Sequence, residues 1–305
     1  MKYLFLFVFV AAMCADSMAQ LPKVASGIVQ RLEQFPSKYI SSRNIDIWLP
    51  DGYSASKKYA VLYMHDGQML FDSTTTWNGQ EWGVDETMGR LLQMHKIKNC
   101  IVVGIWNNGA SRHADYFPQK PFESLPRTLQ DSLLHEKRNG QNPLFPISVR
   151  SDQYLQFLVT ELKPYIDSHF STKKDRKHTF IAGSSMGGLI SMYAICEYPN
   201  VFGGAACLST HWPGTFSIEN NPIPAAFERY VNTHLPSPSR HYIYFDYGTA
   251  TLDAWYEPFQ KRIDQVMAHH KYNSRHWITR KFEGADHSER AWRTRLEIPL
   301  MFLLK

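Results

Sequence analysis

The stretch that most constrains this chain runs from His178 to Cys196. Its first half, His178-Thr-Phe-Ile-Ala-Gly183, is apolar and β-branched, which suits a buried strand. Its second half sets Leu189, Met192, Tyr193 and Cys196 at helical spacing. Between them lies Gly183-Ser-Ser-Met-Gly187, centred on Ser185. A strand that turns sharply into a helix through Gly-x-Ser-x-Gly is a nucleophile elbow. The glycines allow a tight turn and close approach of neighbouring backbone. The helix behind the turn directs N–H groups and partial positive charge at any anion that forms there. The motif alone is short enough to occur by chance. The strand before it and the helix after it supply the required context, so Ser185 is the candidate nucleophile.

The N-terminus reads as a signal peptide over residues 1–19. Lys2 supplies the positive end, Tyr3 to Met13 is an apolar run too short to span a membrane, and Ser17-Met18-Ala19 is a small-x-small cleavage site. The mature chain would begin at Gln20 and be exported, to the periplasm or beyond the cell. Cys14 follows Met13, where a lipidation signal prefers a small residue, so simple export is the better reading. No later apolar run is long enough to span a membrane.

Residues 20–305 show no repeat or composition shift, and the full sequence, at 44% hydrophobic and 20% charged, has an ordinary globular composition. The net charge of +5 is scattered, and the basic run Lys173 to Lys177 sits at a predicted helix end. Nothing forms the stripe that a nucleic-acid partner would need. Cys100, Cys196 and Cys207 lie in apolar contexts and read as buried thiols. With no Cys-x-x-Cys or His-Glu-x-x-His, no metal or cofactor is expected.

Along the chain, Ile28 to Phe35 and Lys38 to Leu49 read as a strand pair, and Tyr59 to His65 as a buried strand. Val84 to Met94 reads as a helix and Cys100 to Trp106 as another buried strand. Strand, helix, strand implies a crossover and a mostly parallel sheet flanked by helices. Residues 109–149 interrupt the pattern with Pro118, Pro121, Pro126, Pro143 and Pro146 among aromatics, a candidate lid or a surface loop. Tyr154 to His169 is an amphipathic helix that Pro164 should kink or end. After the elbow come strands at Phe202 to Ser209, His241 to Tyr247 and Ser274 to Phe282, a helix at Pro258 to His270, and a closing helix from Glu289 to Leu304.

A serine nucleophile needs a base, and the base an orienting carboxylate. In α/β-hydrolases the order is serine, acid, histidine. His287 fits, because it follows the last strand and a glycine turn. Two acids compete: Asp253, on the loop past Gly248, and Asp246, inside the preceding strand; the loop position is preferred. The turn Asp66-Gly67-Gln68 either presents the Gln68 N–H to an oxyanion or is an ordinary Asp-Gly turn. Asn107, His211 and Trp212, at strand ends, are candidate substrate contacts.

Taken together, Val61-Leu-Tyr-Met-His-Asp-Gly-Gln68, Gly183-Ser-Ser-Met-Gly-Gly188, Gly248-Thr249 with Asp253, and Gly284-Ala-Asp-His-Ser-Glu289 with Trp292 resemble one esterase family of α/β-hydrolases. That family includes feruloyl and acetylxylan esterases, catecholate-siderophore esterases, S-formylglutathione hydrolase and mycolyltransferases. The resemblance runs from about Ser41 to the C-terminus. It implies the α/β-hydrolase fold, a Ser185–Asp253–His287 triad, an oxyanion hole from the N–H groups of Gln68 and Met186, and no cofactor. Export disfavours a cytosolic thioester substrate. The expected substrate is therefore a small-molecule or oligosaccharide ester, carrying a feruloyl or acetyl group. A catecholate siderophore is the alternative for an enzyme, and a non-catalytic binding protein on the same fold is the alternative class. The sequence leaves the oligomeric state open.

Overall fold

The computed structural model describes residues 20–138 and 140–305. The expected signal peptide lies outside the described residues. Eight strands form one sheet: β1 Ile28–Phe35, β2 Arg43–Leu49, β3 Ala60–His65, β4 Cys100–Ile105, β5 Thr179–Ser184, β6 Gly204–Leu208, β7 Tyr242–Gly248 and β8 Trp277–Phe282. Their spatial order is β1-β2-β4-β3-β5-β6-β7-β8. The β1–β2 and β2–β4 pairs are antiparallel and the remaining pairs parallel. This is the α/β-hydrolase fold.

The central strands are apolar on both faces because helices cover both. On one face Val61, Tyr63, Ile101, Val103, Ile181, Ala205 and Phe245 pack under the helix of residues 151–169 and α3, Met186–Glu197. On the other, Leu62, Met64, Val102, Phe180, Ala182 and Tyr244 meet α1, Val84–Gln93, and the C-terminal pair Glu289–Arg295 and Glu297–Leu303. Alternate residues of each strand thus serve opposite layers.

The helix of residues 151–169, α2, does not end at Pro164. Its turn Leu158–Leu162 is a π-turn, ending two residues before the proline. Widening the turn there accommodates a residue that has no N–H to donate and whose ring crowds the preceding turn. The expected single C-terminal helix is two short ones. Residues 223–234, unassigned from the sequence, form α4, Ile223–His234. Its start carries Pro222 and Pro224, which break a periodicity reading yet suit a first helical turn. Glu257–His269 is α5.

Residues 109–149 are short helices (Arg112–Tyr116, Gln119–Glu123, Arg127–Leu134) and a two-stranded hairpin, Lys137–Arg138 with Asn142–Pro143. Their inner residues Ala114, Tyr116, Phe117, Phe122, Leu133 and Phe145 join the core. Asp115, fully buried, accepts from Arg43 Nη2 at 3.1 Å and Arg150 Nε at 2.6 Å. Buried ion pairs therefore tie this insertion to β2 and to the residue preceding α2. Among the described residues, no helix is long and apolar enough to cross a membrane. The three cysteines Cys100, Cys196 and Cys207 are buried and unpaired.

Candidate active site

Ser185 sits between β5 and α3 with φ 57° and ψ −121°. This is a strained conformation for a residue with a Cβ, and such strain concentrates at functional turns. The packing enforces it. A Cβ on Gly183 would lie 2.7 Å from the Gly187 carbonyl carbon, and one on Gly188 would lie 3.0 Å from Thr210 Oγ1. Ser185 N–H donates to Leu208 O at 2.9 Å, so the turn is fastened to the end of β6. Met186 is the first residue of α3.

The turn after β3 lies against the start of α3. A Cβ on Gly187 would come within 3.3 Å of His65 Cβ and 3.4 Å of Asp66 Oδ2. Asp66 adopts a left-handed conformation, φ 58°, and Gly67 passes so close to β4 that a Cβ would be 2.5 Å from Gly104. Arg112 grips the Asp66 carboxylate with both Nε and Nη2, each at 2.7 Å, and Asn107 Nδ2 adds a third bond at 2.8 Å. Burial pushes the Asp66 pKa up, but the Arg112 guanidinium more than offsets this and holds it below the usual carboxylate range. The Gln68 side chain accepts from Asn107 N–H at 3.1 Å. Asn107 therefore braces this turn.

His287 Nδ1 lies 2.5 Å from Asp253 Oδ1. Asp253 is buried, and its other oxygen accepts from Gly248 N–H at 2.6 Å and from Ser209 Oγ at 2.5 Å. The loops carrying the two residues are cross-tied. Thr249 and Ala250 N–H both donate to Ala285 O at 3.0 Å, and His287 N–H donates to Thr251 Oγ1 at 2.8 Å. Gly248 is required for this approach, because a Cβ there would be 2.1 Å from Ala285 O.

Asp246, the competing acid, points elsewhere. Arg295 binds it through Nη2 at 2.9 Å and Nε at 3.2 Å, and Tyr244 donates to it at 3.0 Å. Burial raises its pKa, and Arg295 opposes that shift. Arg295 Nη2 and Trp292 Nε1 also donate to Ser209 Oγ, at 2.8 and 3.0 Å. Ser209 is therefore the link between this buried ion pair and Asp253.

His211 and Trp212 part company. Trp212 is 2% exposed, donates to Gln260 Oε1 at 2.9 Å and packs on Phe245, so it faces the core rather than a substrate. His211 is buried, with Nδ1 2.7 Å from the Tyr256 hydroxyl. Burial and the neighbouring His113 and His287 hold its pKa well below the ordinary histidine value, so it is neutral. The Tyr256 ring lies edge-on to His287 with centroids 5.8 Å apart. His211, Tyr256 and His287 therefore converge on one spot. Tyr116 and Phe117 are buried, and Trp106 donates to Asp46 at 2.8 Å. Phe216 is the large exposed aromatic beside His211. It is 42% exposed, stands 5.7 Å from the His211 ring, and carries the Arg138 guanidinium over its face at 5.3 Å.

Sequence reasoning missed Arg112, Ser209, Tyr256 and Arg295. Only Arg295 left a signal, three residues after Trp292 on one helix face. Among the described residues, no group of three or more His, Cys, Asp or Glu side chains could hold a metal ion.

Residues 38–302 match the family model Esterase, described as "Putative esterase". The uncharacterized protein YbbA of Bacillus subtilis (strain 168) is 24% identical over 180 residues, covering 59% of this chain and 59% of that protein. The chain thus spans about three fifths of the length of the first curated relatives it matches. A solved ferulic acid esterase superposes with a TM-score of 0.62 at 20% identity, over 91% of this chain and 98% of that one. The enterobactin esterase FES of Shigella flexneri superposes with a TM-score of 0.63 at 16% identity, over 92% of this chain and 60% of that one.

Proposed function

The chain belongs to the Esterase family, and from that premise we propose that it is an exported serine carboxylesterase working through Ser185, His287 and Asp253. The observation that carries this reading is the 2.5 Å contact of His287 Nδ1 with buried Asp253, beside a serine held in an elbow conformation. Asp253 fixes the imidazole tautomer with Nδ1 protonated, leaving Nε2 as the base. His287 takes the Ser185 proton as Oγ attacks the ester carbonyl. The N–H groups of Gln68 and Met186 receive the oxyanion, with the α3 N-terminus adding its partial charge. The alcohol leaves protonated by His287, and water releases the acyl group. Export rests on the leader-like residues 1–19.

For the substrate we favour a carbohydrate-linked ester with a feruloyl or acetyl group. The exposed Phe216 face supports an aromatic acyl group. Arg138 on that face favours a second reading, an anionic catecholate siderophore ester. Ser185→Ala should abolish turnover of a p-nitrophenyl ester while circular dichroism stays unchanged; turnover at the parent rate would overturn the reading. A product screen with feruloylated and acetylated oligosaccharides beside a catecholate siderophore separates the substrates.

A further inference from the structure

We propose that Ser209 is a positioning residue of the reaction: its hydroxyl steadies the buried Asp253 carboxylate and keeps Arg295 from drawing that carboxylate away from His287. This rests on the reading of Ser185, His287 and Asp253 as a triad.

Each hydrogen bond at Ser209 has one possible direction. The fully buried hydroxyl meets Trp292 Nε1 at 3.0 Å, Arg295 Nη2 at 2.8 Å and Asp253 Oδ2 at 2.5 Å. An indole N–H and a guanidinium can only donate. They fill the two lone pairs of the hydroxyl, so its single proton goes to Asp253. Oδ2 takes a second donor, Gly248 N–H, at 2.6 Å, and Oδ1 is left to His287 Nδ1.

The backbone points the same way. Ser209 has φ 42°, a conformation that favours glycine. Its N–H is fastened to Asp246, to the carbonyl oxygen at 2.8 Å and to Oδ1 at 3.1 Å. Glycine would serve this turn with less strain, so what the serine adds is its hydroxyl. Strain of this kind concentrates at functional sites.

The hydroxyl also separates charges. Arg295 Nη2 stops 3.9 Å from Asp253 Oδ2 and binds Asp246 instead, at 2.9 Å. A guanidinium bonded directly to Asp253 would compete with the imidazolium for one negative charge. Two neutral donors, Ser209 and Gly248, orient Asp253 without that competition. The other titratable groups around His287 are engaged or neutral. Asp286 accepts from Ser288 Oγ at 2.6 Å, and Glu289 from Asn78 Nδ2 at 2.9 Å. Tyr256, edge-on to His287, keeps its proton because burial raises its pKa, and His211 behind it is neutral.

The test is the pH profile of kcat/KM with a p-nitrophenyl ester, whose acid limb marks where protonation of the base ends turnover. Ser209→Ala removes the donor, and its methyl group still holds Arg295 off. The Asp253 charge then bears more fully on His287, so the limb should move to higher pH by about half a unit or more. Counted per Ser185 labelled by a fluorophosphonate, kcat should fall about three- to tenfold with KM unchanged, because a bond steadying the acid is lost and no substrate contact is. The position of the limb does not depend on how much of a variant folds. Ser209→Cys, similar in size with a weakly donating thiol, should move the limb the same way by less. An acid limb at the parent pH in Ser209→Ala overturns the role, and Ser209→Cys decides it by the same criterion should the alanine variant not fold. Turnover at the parent rate in Asp253→Asn, or persisting in Ser185→Ala, would instead sink the triad reading beneath it.

Discussion

Two carboxylates support the site from opposite sides, and they are held in opposite ways. Asp66, in the turn after β3, is gripped by Arg112, whose side chain keeps 28% of its surface in solvent. Asp253 is shut away behind His287, and its second oxygen is reached through Ser209, which Trp292 and Arg295 hold in turn. The first arrangement is an ion pair that water and salt can weaken. The second is a dry, connected network in which each partner is costly to remove. A turn that presents backbone N–H groups needs only correct placement. A carboxylate that steadies an imidazole must keep both its charge and its direction.

That contrast is broken most severely at the buried acid. Asp253→Asn should lower kcat by about 10³- to 10⁴-fold, by favouring the wrong histidine tautomer, with the fold kept. If Asp246→Asn costs more activity than this, the acid has been misassigned. Asp246→Asn should instead act on stability, by about 3 kcal/mol in urea unfolding, because Arg295 is left buried without its counter-charge. Arg112→Met probes the wetter side. It should lower kcat about tenfold and cost about 1–3 kcal/mol in urea unfolding, because the buried Asp66 carboxylate loses its counter-charge and keeps the Asn107 bond.

The smallest effect sharpens the comparison from outside both regions. Asp85 is a buried carboxyl with no ion pair among the described residues; it accepts from Ala25 N–H at 2.6 Å. Burial, then Glu86, pushes its pKa from 3.8 up to about 7. A raised carboxyl pKa gives stability that is fully present below the unfolded value and lost as pH rises through the folded one. Asp85→Asn keeps the acceptor without the titration. Thermal melts should therefore show the variant gaining on the parent between pH 3.8 and about 7, by about 2 °C or more. A constant difference across that window would remove the cause.

Much of this was legible in the sequence. The strands announced themselves because those buried on both faces are continuous apolar runs, and Ser185 because its turn needs glycines at fixed offsets. Pattern prefers Asp253 over Asp246 only for its position on the loop, because both flank the stretch that begins at Gly248. What separates them is which cation or imidazole reaches each, and Arg295 and His287 arrive from the far C-terminus. Tyr256 and Ser209 left no trace, since a tyrosine or serine near a strand end is ordinary until its partners are known. Trp212 was misplaced for a related reason. Proximity in sequence to a strand end does not say which way an indole turns, and Gln260 draws this one inward.

The cross-ties between Thr249, Ala250 and Ala285, and between Thr251 and His287, bear on how such a chain tolerates insertions and deletions. A residue added between Gly248 and Asp253 would shift the donors away from their single carbonyl acceptor, unless the segment after β8 were redrawn to follow. The two loops are bound to change length as a matched pair. The strand residues Lys137–Arg138 and Asn142–Pro143 are exposed, and Arg138 reaches the site face by stacking on Phe216, so a change of length in that hairpin would move this contact rather than the triad loops.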